Sequence, residues 1–349
     1  MILVNNPGTW GAIYAPLRHA PWHGWTPTDL IFPFFLFIAG VSMAFSFAAR
    51  MERGATRATL VRHLLRRSAI IFALGIFLNA FPEFQFATLR YPGVLQRIAV
   101  CYLSASLISL YCGRRARIGI VAALLFGYWA LMTFVPVPGY GAGRLDPEGN
   151  LAAYVDRALL PGKLWQTTWD PEGLLSTIPA IATALLGVFL GEWLLAPRAP
   201  QRTAGGMLAL GAAGLVLGEI WGLVFPINKN LWTGSYVIFT AGFALVALGI
   251  CYWLVDVKGY RRWATPFVVY GVNPIAAYFL SSLVADVLVS WKMALVGGQA
   301  VSLKRHIFQS CFAPLASPVN ASLLYALSYV AFWLALMWLL YRRRIFVKI

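Results

Sequence analysis

The chain of 349 residues is 60% hydrophobic and only 11% charged, with a mean hydropathy of +0.71. That composition lies outside soluble globular usage and excludes a soluble enzyme or a disordered regulator. The formal charge of +16 suggests nucleic acid, but the basic residues are dispersed over short segments between apolar runs. Anionic lipid explains that placement, and nucleic-acid binding is excluded.

In chain order, a short apolar stub at Met1–Val4 comes first. Runs of about 20 apolar residues, each long enough to cross a bilayer as a helix, follow at 29–49, 68–82, 93–112, 118–136, 174–196, 205–225, 235–255, 265–287 and 321–341. The expected fold is an all-α integral membrane protein, a single domain over 1–349 with a bundle of about ten transmembrane helices. The first helix reads as truncated, a remnant ending outside. Pro33 should bend the opening turns of 29–49, and Pro92 should mark a helix start. Of the 28 Lys and Arg residues, 18 fall in the segments 50–67, 114–117, 198–202, 258–262 and 342–348. By the positive-inside rule these loops and the C-terminus are cytoplasmic. The segments 7–28, 137–173 and 288–320 then lie outside as loops folded over the outer face.

Cys101, Cys112, Cys251 and Cys311 have no CxxC spacing and imply packing rather than a metal. Arg97, Asn79, Gln96, Glu192, Glu219, Asn273 and Asp286 are polar groups that a membrane interior makes expensive, so each needs a cavity or a partner. Arg97 has Asp29 and Glu83 as candidate counter-charges. Asp170-Pro171-Glu172 reads as a helix N-cap with Pro at the first helical position. Asn228-Lys229-Asn230, polar and wedged between two spans, is harder to explain by packing.

The run from Arg18 to Pro33 (RHAPWHGWTPTDLIFP) sets an imidazole and a carboxylate where a helix meets water. With Pro92-Gly93-Val94-Leu95-Gln96-Arg97, Asp170-Pro171-Glu172-Gly173, Asn228-Lys229-Asn230-Leu231-Trp232, Val255-Asp256-Val257-Lys258-Gly259 and Thr265-Pro266-Phe267 followed by Gly271 and Asn273, it forms an ordered set covering nearly the whole chain. In these blocks the chain resembles the heparan-α-glucosaminide N-acetyltransferase family of membrane acyltransferases, with its bacterial NagX-type members. The resemblance implies transfer of an acetyl group from cytoplasmic acetyl-CoA to an amino sugar on the other side. It makes His19 the catalytic histidine, and Asn5 matches a family asparagine that would supply an amide donor. His23 stands where animal members carry asparagine and is the weaker candidate.

The chemistry is consistent with those roles. An imidazole can deprotonate an attacking amine or accept the acyl group itself. Asp29 either orients His19 and holds an ammonium, or serves the helix dipole alone. Arg66, Arg67 and Arg97 are the candidate coenzyme A contacts, with lipid headgroups as the competing explanation. Asp170, Glu172, Asn228, Lys229, Asn230, Trp232 and Asn273 are the candidate acceptor contacts. The expected location is the cell inner membrane, multi-pass, and the resemblance is compatible with a homodimer. An amino-sugar permease is the alternative; it would show paired internal repeats and need no exposed histidine.

Overall fold

The computed structural model describes residues 1–294 and 300–347. Residues 295–299 of the expected outer segment 288–320, and Lys348 of the last basic segment, lie outside them. The molecule is almost entirely helical: α1 (Ile2–Asn5), α2 (Ile31–Glu52), α3 (Arg57–Ala80), α4 (Val94–Tyr111), α5 (Arg114–Phe134), α6 (Leu151–Leu159) and α7 (Leu174–Leu195). These are followed by α8 (Pro200–Gly222), α9 (Gly234–Tyr252), α10 (Thr265–Gly271), α11 (Pro274–Ser290), α12 (Leu303–Ile307) and α13 (Pro318–Arg342). Among the described residues one small antiparallel hairpin, β1 (Lys292–Ala294) with β2 (Ala300–Ser302), sits after α11, with Met293 opposite Val301.

Seven helices are long and apolar enough to cross a membrane, or eight if the bent pair Arg262–Gly271 and Pro274–Ser290 counts as one span. This is a polytopic membrane protein, with fewer qualifying spans among the described residues than the ten expected. Two differences from the sequence reading have physical causes. The span expected at 265–287 is broken by 71°, because Pro274 has no N–H to continue the ladder of α10 and starts a new helix instead. The expected basic loop 50–67 is mostly helix: α2 runs to Glu52 and α3 starts at Arg57. α3 therefore carries Arg57, Arg62, Arg66 and Arg67 within a 24-residue helix. Arginine is a good helix former, and its long stem covers apolar surface while the head seeks water.

Pro33 lies in the first turn of α2 and leaves the helix unbroken, since an N–H there has no intrahelical acceptor to lose. Asn79 donates to the carbonyls of Arg90 (2.7 Å) and Pro92 (2.8 Å), tying the α3–α4 connection. Glu192 pairs with Arg117 at 2.5 Å.

Apolar side chains gain nothing by leaving lipid, so these helices associate through close packing of small residues. On α8, Gly211, Gly214 and Gly218 face α9 around Gly242; a Cβ on Gly242 would sit 2.6 Å from the Leu215 nitrogen. On α2 and α7 the approach is closer still. A Cβ on Gly40 would lie 2.0 Å from the Ala184 carbonyl oxygen, and one on Gly187 would lie 1.9 Å from that of Phe37. The central core joins α2, α4, α7 and α9 through Leu36, Met43, Ala105, Leu185 and Tyr236. A second cluster holds α10, α11 and α13 together through Val269, Ala277, Tyr329 and Trp333.

Candidate active site

The segment before α2 is built around Asp29. Pro27–Leu30 forms a 3-10 turn capped by a reciprocal box, with the Thr26 side chain accepting from Asp29 and the Asp29 carboxylate accepting from the Thr26 N–H. Asp29 Oδ2 accepts from the backbone N–H of Ala20 (2.9 Å) and Thr26 (3.1 Å). Its other oxygen lies 2.6 Å from Nδ1 of His19. One buried carboxylate thus serves the cap and contacts the histidine. Tyr236, fully buried on α9, donates to the Asp29 carbonyl at 2.5 Å. The His19 side chain is 49% exposed and therefore reachable from solvent.

The turn between α8 and α9 closes against this segment. Gly24 donates to the Ile227 carbonyl at 2.8 Å, and Gly24 and Asn228 form a backbone bridge. Asn228 is fully buried; its side-chain oxygen accepts from the Leu231 N–H (2.9 Å), and its amide lies 3.2 Å from Nδ1 of His23. Partial burial lowers the His23 pKa, and its contact with Asn228 ties the segment to the turn. Lys229, next in the turn, brings Nζ to 3.0 Å from His19 Nδ1 and 3.5 Å from Asp29 Oδ1. Burial lowers the Lys229 pKa, against which Asp29 and Glu172 act to raise it.

A second charged group lies behind. Asp170 accepts from Arg90 through both oxygens (2.7 and 2.6 Å), and Glu172 Oε2 accepts from the same guanidinium at 2.5 Å. Burial opposes the Arg90 charge, but Asp170 and Glu172 outweigh it and raise the pKa. Asp170 also accepts from the N–H groups of Trp165 and Glu172, both at 2.9 Å. This explains why it is not the N-cap expected from sequence: its oxygens are committed to the loop, and Gly173 takes the cap position of α7.

Arg97 is 2% exposed and pairs with neither Asp29 nor Glu83. Its Nη2 donates to the Gly173 carbonyl (3.0 Å) and to Ser176 Oγ (2.5 Å), and its guanidinium lies over the Trp232 ring, 5.1 Å from the centroid. Asp156 on α6 accepts from the Leu174 N–H at 2.8 Å. The Gly173 carbonyl and the Leu174 N–H belong to one peptide, so Arg97 and Asp156 polarise the same unit from opposite ends. Burial pushes the Asp156 carboxyl up to about 7; Asp170 adds to the rise, while the Leu174 N–H and Arg97 oppose it. A Cβ on Gly173 would sit 1.8 Å from Asp156 Oδ2, so only glycine fits there. The Arg97 Nε and Nη1 have no partner among the described residues.

His19, Asp29, Asn228 and Lys229 are thus brought together, with half-buried Asn230 in the same turn. Several expected positions fall elsewhere. Trp232 is 1% exposed, its face covered by Arg97 and its edges by Phe32 and Tyr236, so it offers no stacking surface to a sugar. Asn273 is buried and bonds Ile345 and Val347 beyond the end of α13. The start of that helix lies instead with Thr9 and Tyr14, through Ser322 and Asn320. Asn273 is therefore a helix length from the His19 side, where it secures the C-terminal segment. Asn5 is exposed on α1, which packs on α13 and α11. No hydrogen bond among the described residues joins Asn5 to His19, Asp29 or Lys229. Arg66 is exposed on α3, and Arg67 stacks over Tyr102 of α4 at 4.9 Å.

Sequence reasoning missed Arg90, Tyr236 and Asp156. Arg90 was findable, since it stands two residues before Pro92 and a charge there needs a partner. Tyr236 and Asp156 carry no local signal.

Residues 9–218 match the family model described as heparan-alpha-glucosaminide N-acetyltransferase, catalytic. The whole chain aligns with the heparan-alpha-glucosaminide N-acetyltransferases of Homo sapiens, at 31% identity over 410 positions, and Mus musculus, at 30% over 408. It spans 58% of the length of each. With the matched model covering most of the chain, and its histidine and buried carboxylate joined in one hydrogen bond, the protein belongs to the heparan-alpha-glucosaminide N-acetyltransferase family.

Proposed function

We propose that this chain is a transmembrane acyltransferase that moves an acetyl group from acetyl-CoA to an amino sugar presented on the His19 side. The observation that carries the reading is a half-exposed imidazole held at 2.6 Å by a buried carboxylate. That arrangement leaves Nε2, approached by Lys229 only at 3.5 Å, to take a proton from an attacking amine. A thioester is already activated, so the protein needs to align amine and carbonyl, move one proton and stabilise the oxyanion.

Acetyl-CoA supplies the acyl group. Arg66 and Arg67 are the groups available to its phosphates, and the unpartnered N–H groups of Arg97 are available to its acyl end. Tyr102, under Arg67, is five residues from Arg97, about 7.5 Å along α4. The guanidiniums therefore line up along the α3–α4 pair toward the His19 layer. Lys229 and Asn230, with the Glu172 oxygen not bonded to Arg90, are the acceptor contacts, and buried Asn228 shapes the turn that presents them. The basic ends of α2, α3, α5 and α8 face the cytoplasm in this reading, which sets His19 outside a cell inner membrane.

The test is labelled acetyl-CoA with protein in liposomes, with and without glucosamine, following coenzyme A release and label on the sugar. Amine-dependent transfer that disappears in His19→Ala supports the reading. Saturable sugar uptake without coenzyme A release refutes it in favour of a permease.

A further inference from the structure

Nδ1 of His19 and Oδ1 of Asp29 are 2.6 Å apart. Two lone pairs would repel at that distance, so a proton lies between them, and the neutral ring then has its open lone pair on Nε2. Lys229 Nζ is 3.0 Å from Nδ1 and 3.5 Å from Nε2. With the Nδ1 hydrogen directed at Asp29, the ammonium cannot donate to that nitrogen, and its 3.5 Å approach to Nε2 is at the outer limit of a hydrogen bond, so its main effect on the ring is that of a nearby charge. The turn holds it there: the Trp232 N–H bonds the Lys229 carbonyl (3.1 Å), and the Thr233 N–H bonds that of Asn228 (3.2 Å).

We propose that Lys229 is a positioning residue that keeps His19 as a neutral base with Nε2 open, by opposing a second proton on the ring and by holding Asp29 ionised. The inference rests on the transfer reaction proposed above. In that reaction the acceptor N–C bond forms as its N–H proton passes to Nε2 of His19. The thioester C–S bond breaks, and the same proton leaves with the thiolate as free thiol. Lys229 makes and breaks no bond.

The other charged and titratable groups around the pair do not replace it. Glu172, from the loop before α7, and Arg97, from α4, both act on the Lys229 charge with opposite sign. His23 is engaged by Asn228, and the Tyr236 hydroxyl by the Asp29 carbonyl. Arg18 directs its Nε to the Ile13 carbonyl at 3.0 Å.

The experiment is carbethoxylation of His19 by diethyl pyrocarbonate across pH, read by peptide mass spectrometry on the full chain in liposomes. The reagent attacks only unprotonated imidazole, and His23 in the same protein is the internal reference. In Lys229→Met the His19 midpoint should rise by about one pH unit, the effect of removing a unit charge at ~3 Å in a water-like dielectric, with Lys229→Arg restoring the original midpoint. Lys229→Gln is the second neutral variant should Lys229→Met not fold. An unchanged His19 midpoint in the neutral variant overturns the proposal. Because this readout needs no turnover, a wild-type protein that transfers no acetyl group would refute the proposed function while the midpoint still decides the role of Lys229. In the transfer assay, the acid limb of kcat/KM should move with the midpoint; a loss equal at every pH, with no displaced limb, marks Lys229 as structural only and refutes the inference.

Discussion

Arg90 and Arg62 lie at opposite ends of the α3–α4 hairpin, Arg90 in the connection before Pro92 and Arg62 in the early turns of α3. Arg90 is engaged by two carboxylates across a gap of some 80 residues and stacks on Trp165 at 4.9 Å, whereas Arg62 stands exposed on α3. The same contrast holds between the two ends of the bundle. On the His19 side, charges lock loops to helices: Asp29 with His19 and Lys229, Arg90 with Asp170 and Glu172, Arg97 with Asp156 through a shared peptide. At the other end Arg53, Arg62, Arg114, Arg115, Arg261 and Arg343 are exposed, as charges that set orientation in a membrane should be. Arg117 at that same end is buried and paired with Glu192, so pairing geometry, and not which end a charge occupies, separates construction from orientation.

The most severe way to break this contrast is at the paired carboxylate of the site. Asp29→Asn should lower acetyl transfer on the order of 10³-fold, because the amide cannot hold the Nδ1–H tautomer or balance a charged ring; near-normal turnover in the liposome assay would remove Asp29 from the chemistry. Next comes Arg90→Gln, which strands two carboxylates and should destabilise the fold by about 3–5 kcal/mol. Arg62→Gln should stay within ~0.5 kcal/mol. Unfolding in detergent compares the two, and equal stabilities would erase the distinction drawn here.

A smaller cost, about 1–3 kcal/mol, is expected for Gly173→Ala from overpacking against Asp156, and Asp156→Ala in the same chain should relieve part of it. Replacing Arg66 and Arg67 together by Gln should weaken acetyl-CoA binding about tenfold by calorimetry; unchanged affinity would return both arginines to topology. The mildest effect concerns pH. The Asp156 carboxyl is pushed from 3.8 to about 7 in the folded protein, so between those values the folded state binds more protons than the unfolded one and stability falls as pH rises. The melting temperature of the wild type should therefore increase from pH 7.5 to pH 5 relative to Asp156→Asn. Parallel profiles would mean the carboxyl titrates in its ordinary range.

Apolar run length located the helices, since a bilayer demands it, and the motif around His19 named the histidine and the carboxylate that do meet. The break at Pro274 was not resolved because the runs on either side of it are continuous in composition. α3 was cut short because its arginines look like a loop when helix propensity and membrane cost are weighed by sequence alone. Trp232 and Asn228 share one motif and both are buried, one packed under Arg97 and the other holding the turn; the motif alone does not say which of its polar and aromatic groups the fold keeps inside. Asn273 was grouped with the acceptor residues by its family block, although the bent pair carries it to the opposite end.

The spacing between α2 and α7 has a mechanical consequence. The helices touch with almost no space at Gly40, Gly187 and Gly191, so they cannot slide past each other without collision at those points. The His19–Asp29 segment runs directly into α2, and the Gly173–Ser176 seat of Arg97 begins α7. Those two parts of the site consequently travel as one rigid body. Any motion that admits an acceptor or releases a product has to be borne by the surrounding loops or by the jointed α10–α11 arm, so the reaction geometry is preserved while access to it changes.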